Sequence, residues 1–143
     1  MSIFKERLAE LMEELQLNQQ SLESASGVHH SNISDYLSGK TMPSFETLTK
    51  LLYFFNCSAD YLLGEVEIPT EEKLFPVIPF SVRFKEILAN KKISQEKLRK
   101  DLNISSSVMY KWTSGSCNPT ATSLIRIAKY LDCSIDYLIG RLR

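Results

Sequence analysis

Apolar residues recur at helical spacing from the start of the chain. Phe4, Leu8, Leu11, Met12 and Leu15 form one stripe, which predicts an amphipathic first helix. Asn18 is a good N-cap for a second short helix opening at Gln19, and Gly27 ends it. A third helix follows Val28, with Ile33 and Tyr36 facing inward, and stops at Gly39. Pro43-Ser44 supplies the stop and cap for a fourth, whose stripe is Phe45, Leu48, Leu51, Leu52 and Phe55. Ser58 caps a last short helix ending at Gly64. No strand-like alternation occurs, so the pattern predicts five helices and then starts again.

A shift of 76 residues aligns the two halves without a gap, with 16 identities over residues 4–64. Asp60-Tyr61-Leu62 meets Asp136-Tyr137-Leu138, Cys57-Ser58 meets Cys133-Ser134, Ser38-Gly39 meets Ser114-Gly115, and Pro43 meets Pro119. Phe4, Arg7, Glu10, Gln19, Leu22, Ser31, Leu48 and Gly64 also match their partners. In the second half Ser94 and Thr120 take the capping roles and Asn103 replaces Gly27. Met109 and Trp112 face inward, and Leu124, Ile127, Ala128 and Leu131 form the fourth stripe. The expected organisation is all-α: one five-helix domain over 1–66, a linker over 67–78, and a second copy over 79–143. Pro69 and Pro76, with Pro79 following, keep the linker from continuing a helix. Leu74, Phe75, Val77 and Ile78 are apolar, so part of it is expected to pack on a domain.

Composition narrows the function. The chain has 143 residues, with 17 Lys+Arg against 17 Asp+Glu. No apolar run approaches the roughly 18 residues of a membrane span, and the charged first segment is unlike a signal peptide. Cys57, Cys117 and Cys133 are three at wide spacing, and the histidines are two, His29 and His30. These make neither a disulfide framework nor a zinc pattern. Cys57 and Cys133 are expected to be buried, Cys117 exposed, and the two histidines plain polar groups. No Gly-rich phosphate loop and no nucleophile–base–acid set is present. The expectation is a cytoplasmic protein that is not an enzyme, with no metal and no cofactor.

Each half resembles the helix-turn-helix domain of the lambda-repressor and Cro superfamily, the Xre type. The residues that carry the resemblance run Leu8, Gln19-x-x-Leu22, Gly27-Val28, Ile33-x-x-Tyr36-x-x-Gly39, Pro43-Ser44, Leu48 and Asp60-Tyr61-Leu62-Leu63-Gly64. In the second half they run Gln95-x-x-Leu98, Ile104, Met109-x-x-Trp112-x-x-Gly115, Pro119-Thr120 and Asp136-Tyr137-Leu138-Ile139-Gly140. The family's Ala after the second-helix Leu is Glu23 or Arg99 here, and its Glu after the third-helix aromatic is Leu37 or Thr113.

The resemblance implies that the third helix enters the DNA major groove while the N-terminus of the second meets a phosphate. Carried over, the phosphate contacts are Gln19 and Gln95. The base-reading positions are His29, His30, Ser31, Ser34 and Asp35 in copy one. In copy two they are Ser105, Ser106, Ser107, Tyr110 and Lys111. The loops through Lys40 and Ser116 would touch the backbone, and Trp112 and Tyr36 would be core.

Charge separates the copies. Residues 1–68 hold 4 Lys+Arg and 10 Asp+Glu, a balance of −6, whereas residues 79–143 hold 12 and 5, a balance of +7. Phosphate neutralisation supplies most non-specific affinity. Copy two, with Lys97, Arg99, Lys100 and Lys111 on its second and third helices, is therefore expected to be the principal reader of double-stranded DNA. Copy one is expected to be a weaker reader, a dimerisation surface or a site for a protein partner. The expected function is a sequence-specific transcriptional regulator that represses by occluding a promoter. The alternative is a protein-interaction adaptor built from helix-turn-helix domains.

Overall fold

The structure, a computed structural model, describes residues 3–143. It divides into two compact units, Met1–Glu72 and Lys73–Arg143. The first contains α1 (Ile3–Glu14), α2 (Gln19–Ser26), α3 (His30–Ser38), α4 (Phe45–Phe55) and α5 (Ala59–Leu62). The second contains α6 (Phe80–Lys91), α7 (Gln95–Asp101), α8 (Ser106–Ser114), α9 (Ala121–Leu131) and α10 (Ile135–Leu138). Among the described residues there are ten helices and no strand, so the fold is all-α with two helix-turn-helix domains in tandem.

The helices start where the sequence places side-chain oxygens. Asn18 accepts from the Ser21 N–H at 2.8 Å while Ser21 Oγ accepts from the Asn18 N–H at 2.8 Å, a reciprocal cap. Ser44, Ser58, Ser94, Ser105, Thr120 and Ser134 likewise accept from an N–H in the first turn of their helices. Five left-handed backbone positions punctuate each copy, and all five recur 76 residues on. The pairs are Gln16/Lys92, Gly27/Asn103, Gly39/Gly115, Asn56/Asp132 and Gly64/Gly140. Gly140 is also required for space. A Cβ there would lie 2.6 Å from Ile78 Cγ1.

Each copy closes around one core. In the first, Phe4, Leu8, Leu22, Ile33, Leu48, Leu51, Leu52 and Leu62 are buried; in the second, Phe80, Phe84, Ile87, Leu98, Leu124, Ile127, Leu131 and Leu138. Burying a side chain of this size contributes about 1.5–3 kcal/mol. Leu15 departs from expectation and is exposed, because α1 ends at Glu14 and Gln16 turns left-handed at φ 55°. Leu11 and Phe55 are half-buried at the margins of their stripes. Cys57 and Cys133 are half-buried rather than buried, and Cys117 is exposed.

An arginine ties the first and last helices of each copy. Arg83 donates through Nε to the Tyr137 carbonyl at 2.9 Å and through Nη2 to the Leu142 carbonyl at 3.0 Å. Arg7 donates through Nη1 to the equivalent carbonyls, those of Tyr61 and Val66. Both guanidinium groups lie over the ring of that tyrosine, at 4.1 Å for Arg7 and 4.4 Å for Arg83. The end of a helix leaves carbonyls without intrahelical donors, and the buried arginine supplies them.

Residues 73–78 belong with the second unit. The Phe75 N–H donates to the Arg141 carbonyl at 2.8 Å and the Ile78 N–H to the Ile139 carbonyl at 3.0 Å. Arg141 returns a bond from Nε to the Phe75 carbonyl at 3.3 Å and faces buried Asp136 at 3.9 Å. Copy one has Glu65 at the Arg141 position.

Candidate nucleic-acid interface

The turn between the second and third helices is built on equivalent residues in both copies, although α2 runs one residue further than α7. Leu22 and Leu98 are fully buried beneath it, Val28 and Ile104 are buried within it, and Gly27 or Asn103 turns left-handed. The third helix is then fixed from below by aromatic contacts. The Phe4 and Tyr36 rings meet edge-on at 5.5 Å, and Phe80 and Trp112 do so at 6.2 Å. Ile33 and Met109 are buried beside them. With those residues committed to packing, the opposite face of each third helix is the one presented outward.

On that face of α8, Ser106, Ser107, Tyr110 and Lys111 are exposed, with Tyr110 at 71%. Ser105 is the N-cap, and its Oγ accepts from the Val108 N–H at 3.2 Å, which leaves the hydroxyl proton available. The loop beyond is self-supporting. The Cys117 N–H donates to the Lys111 carbonyl at 3.2 Å, and Ser114 Oγ lies 3.0 Å from Ser116 Oγ. Gln95 is the first residue of α7 and exposed.

On α3, Ser31 and Ser34 are exposed, Asp35 is half-buried, and Lys40 is exposed in the following loop. Gln19 opens α2 and is half-buried. His29 is the N-cap: its Nδ1 accepts from the Ser31 N–H at 3.1 Å. His30 Nδ1 lies 3.2 Å from Glu23 Oε1. The hydrogen bond to His30 is the main reason the Glu23 carboxyl sits below its ordinary range.

The basic residues of α7 have acidic partners that sequence reasoning left out. Arg99 donates to both carboxylate oxygens of Glu96, at 2.5 and 3.1 Å, and to the Ile104 carbonyl at 3.2 Å. Lys100 lies 3.7 Å from the same carboxylate, and Lys97 donates to Asp101 at 3.1 Å. Bonding to Arg99 above all lowers the Glu96 pKa, and bonding to Tyr130 and then Lys97 lowers that of Asp101. Lys97 and Lys100 are exposed, and such pairs are weak and screened by salt. Arg99 instead folds back onto the turn, where the family's Ala would sit. Lys111 has no ion pair among the described residues.

From α9, Tyr130 OH donates to Asp101 at 2.5 Å and Arg126 to the Leu102 carbonyl at 2.5 Å, holding the end of α7. Two side chains of α9 thus hold the C-terminal end of α7.

Comparison with known families agrees with this geometry. A helix-turn-helix family model matches residues 8–62, and the model of the Cro/C1-type HTH DNA-binding domain matches residues 83–141. The chain belongs to the Xre-like helix-turn-helix proteins, with two copies in tandem. No curated protein matches its sequence. A crystal structure of a transcriptional regulator from Listeria innocua is similar at 24% identity, covering 78% of this chain and 97% of that one, with a TM-score of 0.42. Among the described residues of this helix-turn-helix protein, no helix is long and apolar enough to cross a membrane.

Proposed function

We propose that the protein is a sequence-specific transcriptional regulator whose C-terminal copy is the principal DNA reader, and that it represses by covering a promoter. The observation that carries this reading is the outer face of α8. It offers hydroxyls at Ser106, Ser107 and Tyr110 and an unpaired ammonium at Lys111, on the unit with the positive balance. Hydroxyls and ammonium groups read base edges and phosphates, and the aromatic packing beneath α8 holds them in place. The positions equivalent to Tyr110 and Lys111 in copy one are Ser34 and Asp35. A carboxylate there repels phosphate, so copy one suits a dimer or protein contact better than a lead role on DNA.

Selection of bound sequences from a random DNA pool with the full chain, followed by titration against salt, tests this reading. A regulator yields a consensus, and its affinity falls steeply as salt rises. An adaptor yields no consensus and no DNA binding at low salt.

A further inference from the structure

Glu23, His29 and His30 come together from two helices in the acidic copy. Each offers one ligand atom, and these atoms all lie within 4.8 Å of one another. We propose that they form a binding site for a divalent transition-metal ion of the zinc class. The observations behind it make no use of the DNA reading.

The donor set is two imidazole nitrogens and one carboxylate. That combination favours zinc, nickel, cobalt or copper(II) over magnesium or calcium, which take oxygen ligands. Zn–N and Zn–O bonds of about 2.0–2.2 Å put neighbouring ligand atoms roughly 3.4 Å apart in a tetrahedral site. His30 Nδ1 and Glu23 Oε1 are already at 3.2 Å, and His29 Nε2 and Glu23 Oε2 at 4.0 Å. Small rotations of exposed side chains close the rest.

The backbone that holds them is fixed. Glu23 follows buried Leu22 on α2, and His29 and His30 follow buried Val28 at the start of α3. The two imidazoles are stacked at 4.4 Å on one side of the turn, and they would have to splay for both nitrogens to converge on one ion. Ser31 Oγ lies 2.7 Å from His29 Nδ1. Accepting a hydrogen bond from a protonated Nδ1, it would leave Nε2 as the ligand atom, the usual role of a hydrogen-bond partner behind a metal-bound histidine. The Ser31 N–H now bonded to that nitrogen would give way to this tautomer. Three protein ligands leave the remaining positions to water, because Glu23, His29 and His30 are open to solvent at 34%, 59% and 54%.

Calorimetric titration of the full chain with Zn2+, and absorption spectroscopy with Co2+, test the site. One ion per chain is expected, without the charge-transfer band of a thiolate ligand. His30→Asn and Glu23→Gln are each expected to weaken Zn2+ binding at least tenfold with the circular dichroism unchanged, while Cys117→Ser leaves it as it was. His29 is left in place because it also caps α3. The proposal is overturned by the absence of saturable binding, by binding that survives both substitutions, or by binding lost with Cys117.

Discussion

Arg83 donates to the carbonyl of Tyr137 at 2.9 Å while its guanidinium lies over that residue's ring at 4.4 Å. One side chain thus ties α6 to the end of α10. Truncation leaves part-buried carbonyls without donors. Arg83→Met is expected to destabilise the second unit by roughly 2–4 kcal/mol, read as a lower midpoint in urea. Arg7→Met should do the same to the first. Arg83→Lys should recover only part of the loss, since an ammonium cannot reproduce the planar fork.

The stretch 73–78 is part of the second unit, and hydrogen exchange reads this directly. The amides of Phe75 and Ile78 donate to Arg141 and Ile139, so they should exchange far more slowly than those of the exposed residues 67 and 68. Arg141→Gln removes the charge facing Asp136 and weakens the bond to the Phe75 carbonyl. Exchange at Phe75 should then accelerate. Equal rates in both proteins would mean that the arm is held without help from the Arg141 side chain.

Asp101 gives the pH dependence a sign. Its pKa is lowered first by Tyr130 and then by Lys97. Its contribution to stability is therefore complete above the ordinary carboxylate value, and is lost as pH falls through the lower folded value. Tyr130→Phe should move the Asp101 midpoint, followed by carboxyl NMR, back up toward its ordinary 3.8. The stability difference between wild type and Tyr130→Phe should shrink as acid protonates Asp101.

Gly140 tests the packing of the arm from the other side. Alanine there meets Ile78 at 2.6 Å and takes an unfavourable φ of +86°. Gly27 has φ +81° but open space around the missing Cβ. Gly140→Ala should therefore lower the urea midpoint clearly more than Gly27→Ala does.

Most of the fold was legible because its signals are local. Ser44 and Ser58 cap the helices their positions implied, and Gly27 and Asn103 are both left-handed. Tyr36 and Trp112 pack inward, so the outer faces of α3 and α8 could be named in advance. Leu15 misled because apolar spacing does not mark where a helix stops. The rest was hidden by distance along the chain. Arg7 and Arg83 reach carbonyls more than fifty residues away, and nothing beside them in sequence distinguishes a buried arginine from a surface one. Glu23 and His30 are seven residues apart across a turn, so their pairing depends on how α2 meets α3. The Glu96 and Asp101 partners of α7 lie at i,i+3 and i,i+4 spacing and were readable.

On the proposed function, copy two leads on DNA. The decisive measurement compares two double variants of the full chain on the same selected DNA across a range of salt. Tyr110→Ala with Lys111→Ala should weaken binding at least tenfold and reduce the salt slope by about one. Ser34→Ala with Asp35→Ala, at the equivalent positions of copy one, should leave affinity within about twofold or raise it slightly by removing a carboxylate. Equal losses from both pairs would mean that the copies share the DNA, and a larger loss from the copy-one pair that copy one leads.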